Sequence, residues 1–226
     1  MLKSKKTALI LLSGGLDSVV SISESNCKIK LGLIFDYGQA SFKQEKKAAK
    51  KIANYYNFPL KEIKLNWLKD ILSNGLVNAD KMYKIKDLKD TKALKKSMES
   101  VWVPNRNALF INIAASVCET EDIEIIIIGA NKEEGKTFKD NTKEFIDSCN
   151  ELLKSSVNKK IKVIAPLIEM DKNDIVKSAL ISKIPLEYVY SCYKSGKKHC
   201  GKCESCLHLK TALKNNNAED LIKKLF

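Results

Sequence analysis

The chain has 226 residues, 44% of them hydrophobic and 30% charged, with 40 basic against 27 acidic side chains and a formal charge of +13. That length and apolar content suit one α/β domain with an appendage, or two small domains. No apolar run approaches the roughly 20 residues of a membrane span. The basic start MLKSKK leads into TALILLSGG without a small-residue cleavage pattern, so the expectation is a cytoplasmic protein without signal peptide or membrane partner.

In chain order, TALILLS (7–13) is a continuous apolar run, the pattern of a strand covered on both faces. Residues 17–25 read as a helix, 29–38 as a second strand ending in the turn FDYGQ, and 41–57 as a helix with Ser41 as a candidate cap. A third strand is expected at 60–66. The Lys-rich stretch 67–100 has little periodicity and reads as a mobile or partly helical insertion that could serve as a lid. Residues 105–119 predict a helix with an apolar stripe at Leu109, Ile113 and Val117. IEIIIIGAN (123–131) is the clearest strand, 141–156 a helix, KVIAPL (162–167) a strand and 171–182 a helix. Terminal helices follow from Glu204.

Such alternation predicts a mainly parallel, doubly wound sheet of about five strands. The expected division is an α/β domain over 1–185, carrying the insertion 67–100, and a small C-terminal helical region over 186–226 that holds four clustered cysteines. Ligands should sit outside the carboxyl ends of the strands, where the turns SGGLDS, FDYGQ, GANKEE and APL open.

SGGLDS lies between the first strand and the first helix. Its glycines permit a tight turn and close approach of backbone to ligand, and the amides at the helix start attract phosphate. Ser13 and Ser18 add hydroxyls. Asp17 would repel a bare phosphate and makes sense with a Mg²⁺ between them. The stretch is not a GxxxxGK[ST] loop. SGGxDS resembles the PP-loop of the ATP pyrophosphatase superfamily, which adenylates an oxygen of its substrate; the bland alternative is a Gly-rich turn with an Asp cap.

Cys192, Cys200, Cys203 and Cys206 are spaced for a tetrahedral Zn²⁺ site, and four thiolates fill its shell, so the ion would be structural. Gly201 permits the tight knuckle. A redox pair or an iron–sulfur cluster is the rival reading. His199 could replace one ligand, and His208 reads as a surface or packing residue. Cys27, Cys118 and Cys149 read as ordinary structural thiols.

Arg106 is the only arginine, and the lysines are spread along the whole chain, so the charge is not taken as a nucleic-acid-binding face and direct tRNA binding is not expected. In VPNRNALF, Arg106 is either a clamp on phosphate or carboxylate or part of a capping turn. Gln39, in FDYGQ, offers amide hydrogen bonds or merely ends a strand. The loop 129–147 gathers Asn131, Glu133, Glu134, Phe138, Asp140 and Phe145, a set that suits a flat guanine-like ring or is a charged surface loop. Lys172 reaches a phosphate or is solvated.

Taken together, LSGGLDS, FDYGQ, VPNRN, GANKEE with the following DN and EFI, APL, and SCY with HCGKCESC resemble the 7-cyano-7-deazaguanine synthase (QueC) family, in the family's order and over nearly the whole chain. The resemblance implies a carbon–nitrogen ligase that uses ATP and ammonia to turn 7-carboxy-7-deazaguanine into the nitrile preQ0. The route would run through an adenylated acid and an amide, in queuosine or archaeosine biosynthesis for tRNA. It implies one structural Zn²⁺ per subunit, Mg²⁺ with ATP, and a homodimer. Carried over by position, Leu12, Ser13, Gly14, Gly15, Leu16, Asp17, Ser18, Val19, Val20, Ser21 and Ile22 form the ATP loop, and the four cysteines hold zinc. Asp17, Arg106 and Lys172 would be catalytic, and Gln39, Asn131, Phe138, Asp140 and Phe145 substrate-binding.

The chain departs from the bacterial pattern at Ala40 and Ser41, where Arg-His is usual, and at 135–140, which is similar to the archaeal branch. Two other readings fit parts of the sequence. A PP-loop tRNA thiolase would need Cys118 or Cys149 to react. A Lys-rich zinc-ribbon nucleic-acid binder would carry a vestigial nucleotide site.

Overall fold

The computed structural model describes residues 5–226 apart from 79, 80, 84 and 86. The first four residues of the basic start, and part of the 67–100 insertion, lie outside them. Five strands, β1 (Thr7–Leu11), β2 (Lys28–Asp36), β3 (Leu60–Lys64), β4 (Ile125–Ile127) and β5 (Lys162–Ile164), form one sheet in the order β3-β2-β1-β4-β5. Every pairing is parallel. The chain builds outward from β1 through β2 to β3, then returns to the other side of β1. The β1/β4 boundary is therefore the topological switch point, where a crevice opens at the strand ends.

The apolar runs are continuous because each strand feeds two cores. Leu9 and Leu11 point to one face with Leu33 and Ile126, and meet Ile111, Ala114 and Leu153. Ala8, Ile10 and Leu12 point to the other with Ile125 and Ile127, and meet Val19, Ile52, Ile175 and Leu213. Period-two alternation sends neighbouring side chains to opposite layers, and both layers are covered.

The covering helices are α1 (Leu16–Glu24), α2 (Phe42–Tyr55), α5 (Arg106–Glu121), α7 (Lys143–Ser156) and α8 (Lys172–Ile181). Between β3 and β4 lie α3 (Asn66–Ile71) and α4 (Thr91–Ser100), and α6 (Lys132–Gly135) follows β4. The C-terminal helices are α9 (Glu204–Asn215) and α10 (Glu219–Leu225). Residues of the 186–226 segment join both cores, Cys192, Cys203 and Cys206 on one side and Leu209, Ala212 and Leu213 on the other.

Three local expectations are corrected, and the partly helical reading of 67–100 is borne out with an inner face that its composition does not show. The buried stripe of α5 is Ile111, Ala114, Ala115 and Cys118, while Leu109, Ile113 and Val117 are only half-buried. The small alanines let α5 approach the sheet closely, which a search for large apolar residues overlooks. Ser41 occupies the N-cap position of α2 but makes no cap bond; its hydroxyl donates to Glu45 Oε1 at 2.6 Å. The strand expected over 123–131 is regular only at Ile125–Ile127. The 67–100 stretch carries two helices and buries Leu68, Leu76, Met82, Ile85 and Met98, so its polar composition conceals an anchored inner face.

The edge strand β5 is closed by a side chain. Asn150 of α7 donates from Nδ2 to the Val163 carbonyl at 3.0 Å and accepts the Val163 N–H at 2.8 Å. One amide thus reproduces the two bonds a further strand would make, and masks the edge. Among the described residues no helix is long and apolar enough to cross a membrane.

Candidate active site and metal centre

The turn from β1 to α1 is built by backbone geometry first. Gly14 has φ +79°, and a Cβ there would lie 2.7 Å from the Ala49 amide nitrogen and 2.8 Å from the Glu45 carbonyl. Only glycine lets the loop cross α2 so closely. Gly129, at the end of β4, faces the α1 N-terminus, where a Cβ would stand 2.8 Å from the Ser18 nitrogen.

The loop's own hydroxyls are ordered in a chain. Ser18 Oγ donates to the Gly15 carbonyl at 2.9 Å, Ser13 and Ser18 Oγ are 3.2 Å apart, and the Gly15 N–H donates to Ser13 Oγ at 3.2 Å. Because the Ser18 proton goes to the carbonyl, Ser13 donates to Ser18. Leu16 opens α1, and Val19, Val20, Ser21 and Ile22 lie buried along it.

A cavity of about 250 Å³ opens over this loop. Its lining includes Leu12, Ser13, Gly15, Leu16, Asp17 and Ser18, with Arg106 and Lys172. Three of the four turns expected at this edge reach it, through Tyr37 and Gln39, Gly129 and Glu134, and the loop itself; APL does not, and Lys172, beyond it, does.

Lys172 Nζ lies 2.5 Å from Asp17 Oδ2 and 3.2 Å from Glu134 Oε1. Burial pushes the Asp17 carboxyl up to about 6, with Glu134 adding to the rise and Lys172 opposing it. For Glu134 burial acts the same way, but Lys172, Asn131 and Arg106 together outweigh it and hold that carboxyl below its usual value. Asp17 Oδ1 is buried and has no hydrogen-bond partner among the described residues. A buried, unpaired carboxylate oxygen beside a phosphate-type loop fits a hard divalent cation that takes oxygen ligands.

Arg106 begins α5 after Asn105, which takes the left-handed conformation with φ +56°. Its guanidinium reaches Tyr37 Oη at 3.4 Å. Beneath it Asp140 accepts the Asn107 N–H at 3.3 Å and the Asn141 amide at 3.0 Å. Asp140 therefore pins the start of α5 and does not line the cavity; Asn107 and Asn141 do. Phe138 lines the cavity and stacks on Trp102, centroids 5.2 Å apart and planes 9° from parallel.

Three other expected substrate residues have structural partners. Gln39 lines the cavity, yet both its amide protons are spent, on the Phe35 carbonyl and on Glu45 Oε2, each at 3.0 Å. Asn131 is fully buried and caps α6, accepting the Glu133 and Glu134 amides. Phe145, in the first turn of α7, packs half-buried against the core and is not in the lining.

Sequence reasoning gave no role to Trp102, Glu45 and Ser191, which also line the cavity, and reached Tyr37 only as part of the FDYGQ turn. Trp102 precedes a quoted motif by one residue and Ser191 stands inside another, so adjacency was the available signal. Only the fold shows that the segment around Ser191 crosses back to the first loop. His208, read as a packing residue, sits between two acids, 3.1 Å from Glu204 Oε1 and 3.5 Å from Glu133 Oε2.

The sulfurs of Cys192, Cys200, Cys203 and Cys206 all lie within 4.8 Å of one another, Cys200 and Cys206 at 3.8 Å. Four sulfurs at about 2.3 Å from a tetrahedral Zn²⁺ stand roughly 3.8 Å apart, so the set fits such an ion. Backbone N–H groups of Lys194 and Cys200 donate to Cys192 Sγ, and those of Lys202 and Cys203 to Cys200 Sγ, at 3.3–3.4 Å. His199 is not a ligand: Nε2 accepts the Ser191 N–H at 3.0 Å, and Nδ1 donates to the Leu225 carbonyl at 3.2 Å. Burial pushes the Cys118 thiol up to about 12 and raises Cys149 as well, which leaves neither as a ready thiolate.

A model of the family described as queuosine biosynthesis protein QueC matches residues 7–217. A 7-cyano-7-deazaguanine synthase from Carboxydothermus hydrogenoformans is 44% identical over 212 residues, covering 92% of this chain and 99% of its own. One from Methanosarcina mazei is 39% identical over 227 residues, covering 96% and 98%. Among solved structures, the NMN synthetase from Francisella tularensis covers 99% of this chain and 83% of its own at 12% identity with TM-score 0.47, a likeness too distant to bear on function. With the family model spanning the loop, the cavity residues and the four cysteines, the chain belongs to the QueC family.

Proposed function

We propose that the protein is a cytoplasmic carbon–nitrogen ligase that converts 7-carboxy-7-deazaguanine and ammonia to 7-cyano-7-deazaguanine with ATP. Curated relatives carry the name of that synthase at 44% and 39% identity over nearly the full chain. The carrying observation at the site is the convergence of the 13–18 loop, Arg106 and Lys172 on one cavity that also holds the Trp102–Phe138 pair.

In this reading Ser13, Gly14, Gly15 and Ser18 cradle the pyrophosphate of ATP, and Asp17 holds Mg²⁺, which screens charge on the phosphates. Lys172 and Arg106 neutralise developing negative charge on the leaving group. Glu134 keeps Lys172 charged and aimed. Trp102 and Phe138 offer flat faces for the deazaguanine ring. Catalysis is positioning and charge stabilisation: ATP activates the acid oxygen, ammonia displaces AMP, and a second activation removes the amide oxygen. The four cysteines hold a structural Zn²⁺. The partners are small molecules and a second copy of the chain rather than tRNA.

The test is the fate of the α-phosphate. With 7-carboxy-7-deazaguanine and ammonium present, labelled ATP should yield AMP and pyrophosphate, and omission of the acid should stop it. Release of ADP, or hydrolysis indifferent to the acid, would overturn the adenylation chemistry.

A further inference from the structure

The segment after the last short turn of the α/β region crosses directly over the phosphate-type loop. The Tyr190 N–H donates to the Gly14 carbonyl at 2.9 Å, and the Leu16 N–H donates to Ser191 Oγ at 3.1 Å. Ser191 is held from three sides. Its N–H goes to His199 Nε2 at 3.0 Å, its carbonyl accepts the Ser205 hydroxyl at 2.7 Å, and its Oγ accepts the amide at the start of α1. Ser191 also lines the cavity, as does Ser205. A serine hydroxyl has one proton and two acceptor sites. Each backbone group of Ser191 and one acceptor site of its hydroxyl is engaged, and no hydrogen bond among the described residues uses the hydroxyl proton.

We propose that Ser191 is a nucleotide-phosphate ligand: a hydroxyl donor, delivered from the cysteine knuckle, that faces the same polyphosphate as Ser13 and Ser18. This rests on the reading of the 13–18 loop as an ATP site. Rigidity is the physical argument. The hydroxyl oxygen is fixed by the Leu16 amide and the backbone by His199 and Ser205, so little side-chain freedom is lost when the proton finds a phosphate oxygen. His199 is in turn anchored on the Leu225 carbonyl. The knuckle thereby becomes a positioning element for the nucleotide site, with His199 and Ser205 acting through Ser191. The donor's class of ligand is a di- or triphosphate, with pyrophosphate the smallest probe.

The experiment measures binding of magnesium pyrophosphate and magnesium ATP to the zinc-loaded full chain by calorimetry. Wild type is compared with Ser191→Ala and Ser191→Thr, with melting temperature and zinc content followed in parallel. A charge-assisted hydrogen bond of this kind should make Ser191→Ala bind pyrophosphate roughly tenfold or more weakly. Ser191→Thr, which keeps the hydroxyl, should recover most of the affinity, and zinc content should not change. Wild-type affinity in Ser191→Ala overturns the proposal while leaving the ATP site standing. Equal weakening in both variants also overturns it, because loop geometry rather than the hydroxyl would then decide. No binding to the wild type removes the ATP reading and this inference with it. Should Ser191→Ala not fold, a crystal structure of the wild type with magnesium pyrophosphate decides: a phosphate oxygen within hydrogen-bond reach of Ser191 Oγ supports it, and its absence overturns it.

Discussion

A carboxylate drawn out of water resists ionisation, and Asp17 carries that cost in the wall of the cavity. Burial raises its carboxyl from 3.8 to about 6 against the pull of Lys172. The sign follows from linkage: the folded state binds this proton more tightly than the unfolded chain. Asp17 thus favours folding below its unfolded value and loses that contribution as pH rises through about 6. The charged form is the one that would hold Mg²⁺, so kcat/KM for ATP should fall on the acid side with a midpoint near the pKa of the free enzyme, about 6. A pH–rate profile checks this, and an acid limb near the ordinary carboxylate value would contradict it. Asp17→Asn should lower kcat by roughly 10²-fold or more while the fold survives, read by turnover and circular dichroism. Trp102→Ala should raise KM for the deazaguanine acid by roughly three- to tenfold, the worth of one aromatic face, with KM for ATP unchanged.

At the scale of elements, the sheet was legible because β1 and β4 read as unbroken apolar runs and the loop between β1 and α1 carries its own chemistry. What was hidden depends on partners distant in sequence. The stripe of α5 includes two alanines whose burial is set by the sheet beneath, and nothing local separates Ala114 from a surface alanine. Gln39 and Asn131 looked like ligand amides because an amide serves a backbone turn and a ligand equally well. Phe138 and Phe145 are seven residues apart and equally aromatic, yet a 3-10 turn at Lys139–Asn141 sends only one of them to the cavity. The Asn150 bridge to β5 was likewise invisible. Its removal strands the Val163 N–H and carbonyl, so Asn150→Ala should cost about 1–3 kcal/mol in denaturant unfolding. Gly14→Ala meets both a positive φ and the backbone of α2, and should cost at least about 2 kcal/mol or prevent folding.

Over the whole molecule, the cysteine knuckle is tied to both cores and, through Tyr190 and Ser191, to the loop at the head of α1. Metal and fold should therefore fail together. Cys203→Ser should lose zinc and lower the melting temperature in the same preparation, and full zinc content with unchanged melting would contradict a structural site. The 39 lysines and single arginine make the chain basic along its whole length. Mass spectrometry of the products reads the nitrile-forming reaction itself. Purified zinc-loaded protein would be incubated with ATP, Mg²⁺, ammonium and 7-carboxy-7-deazaguanine. 7-Cyano-7-deazaguanine should appear as ATP is consumed; folded protein that leaves the acid unchanged, or that stops at the amide with ATP in excess, would rule out the synthase reaction.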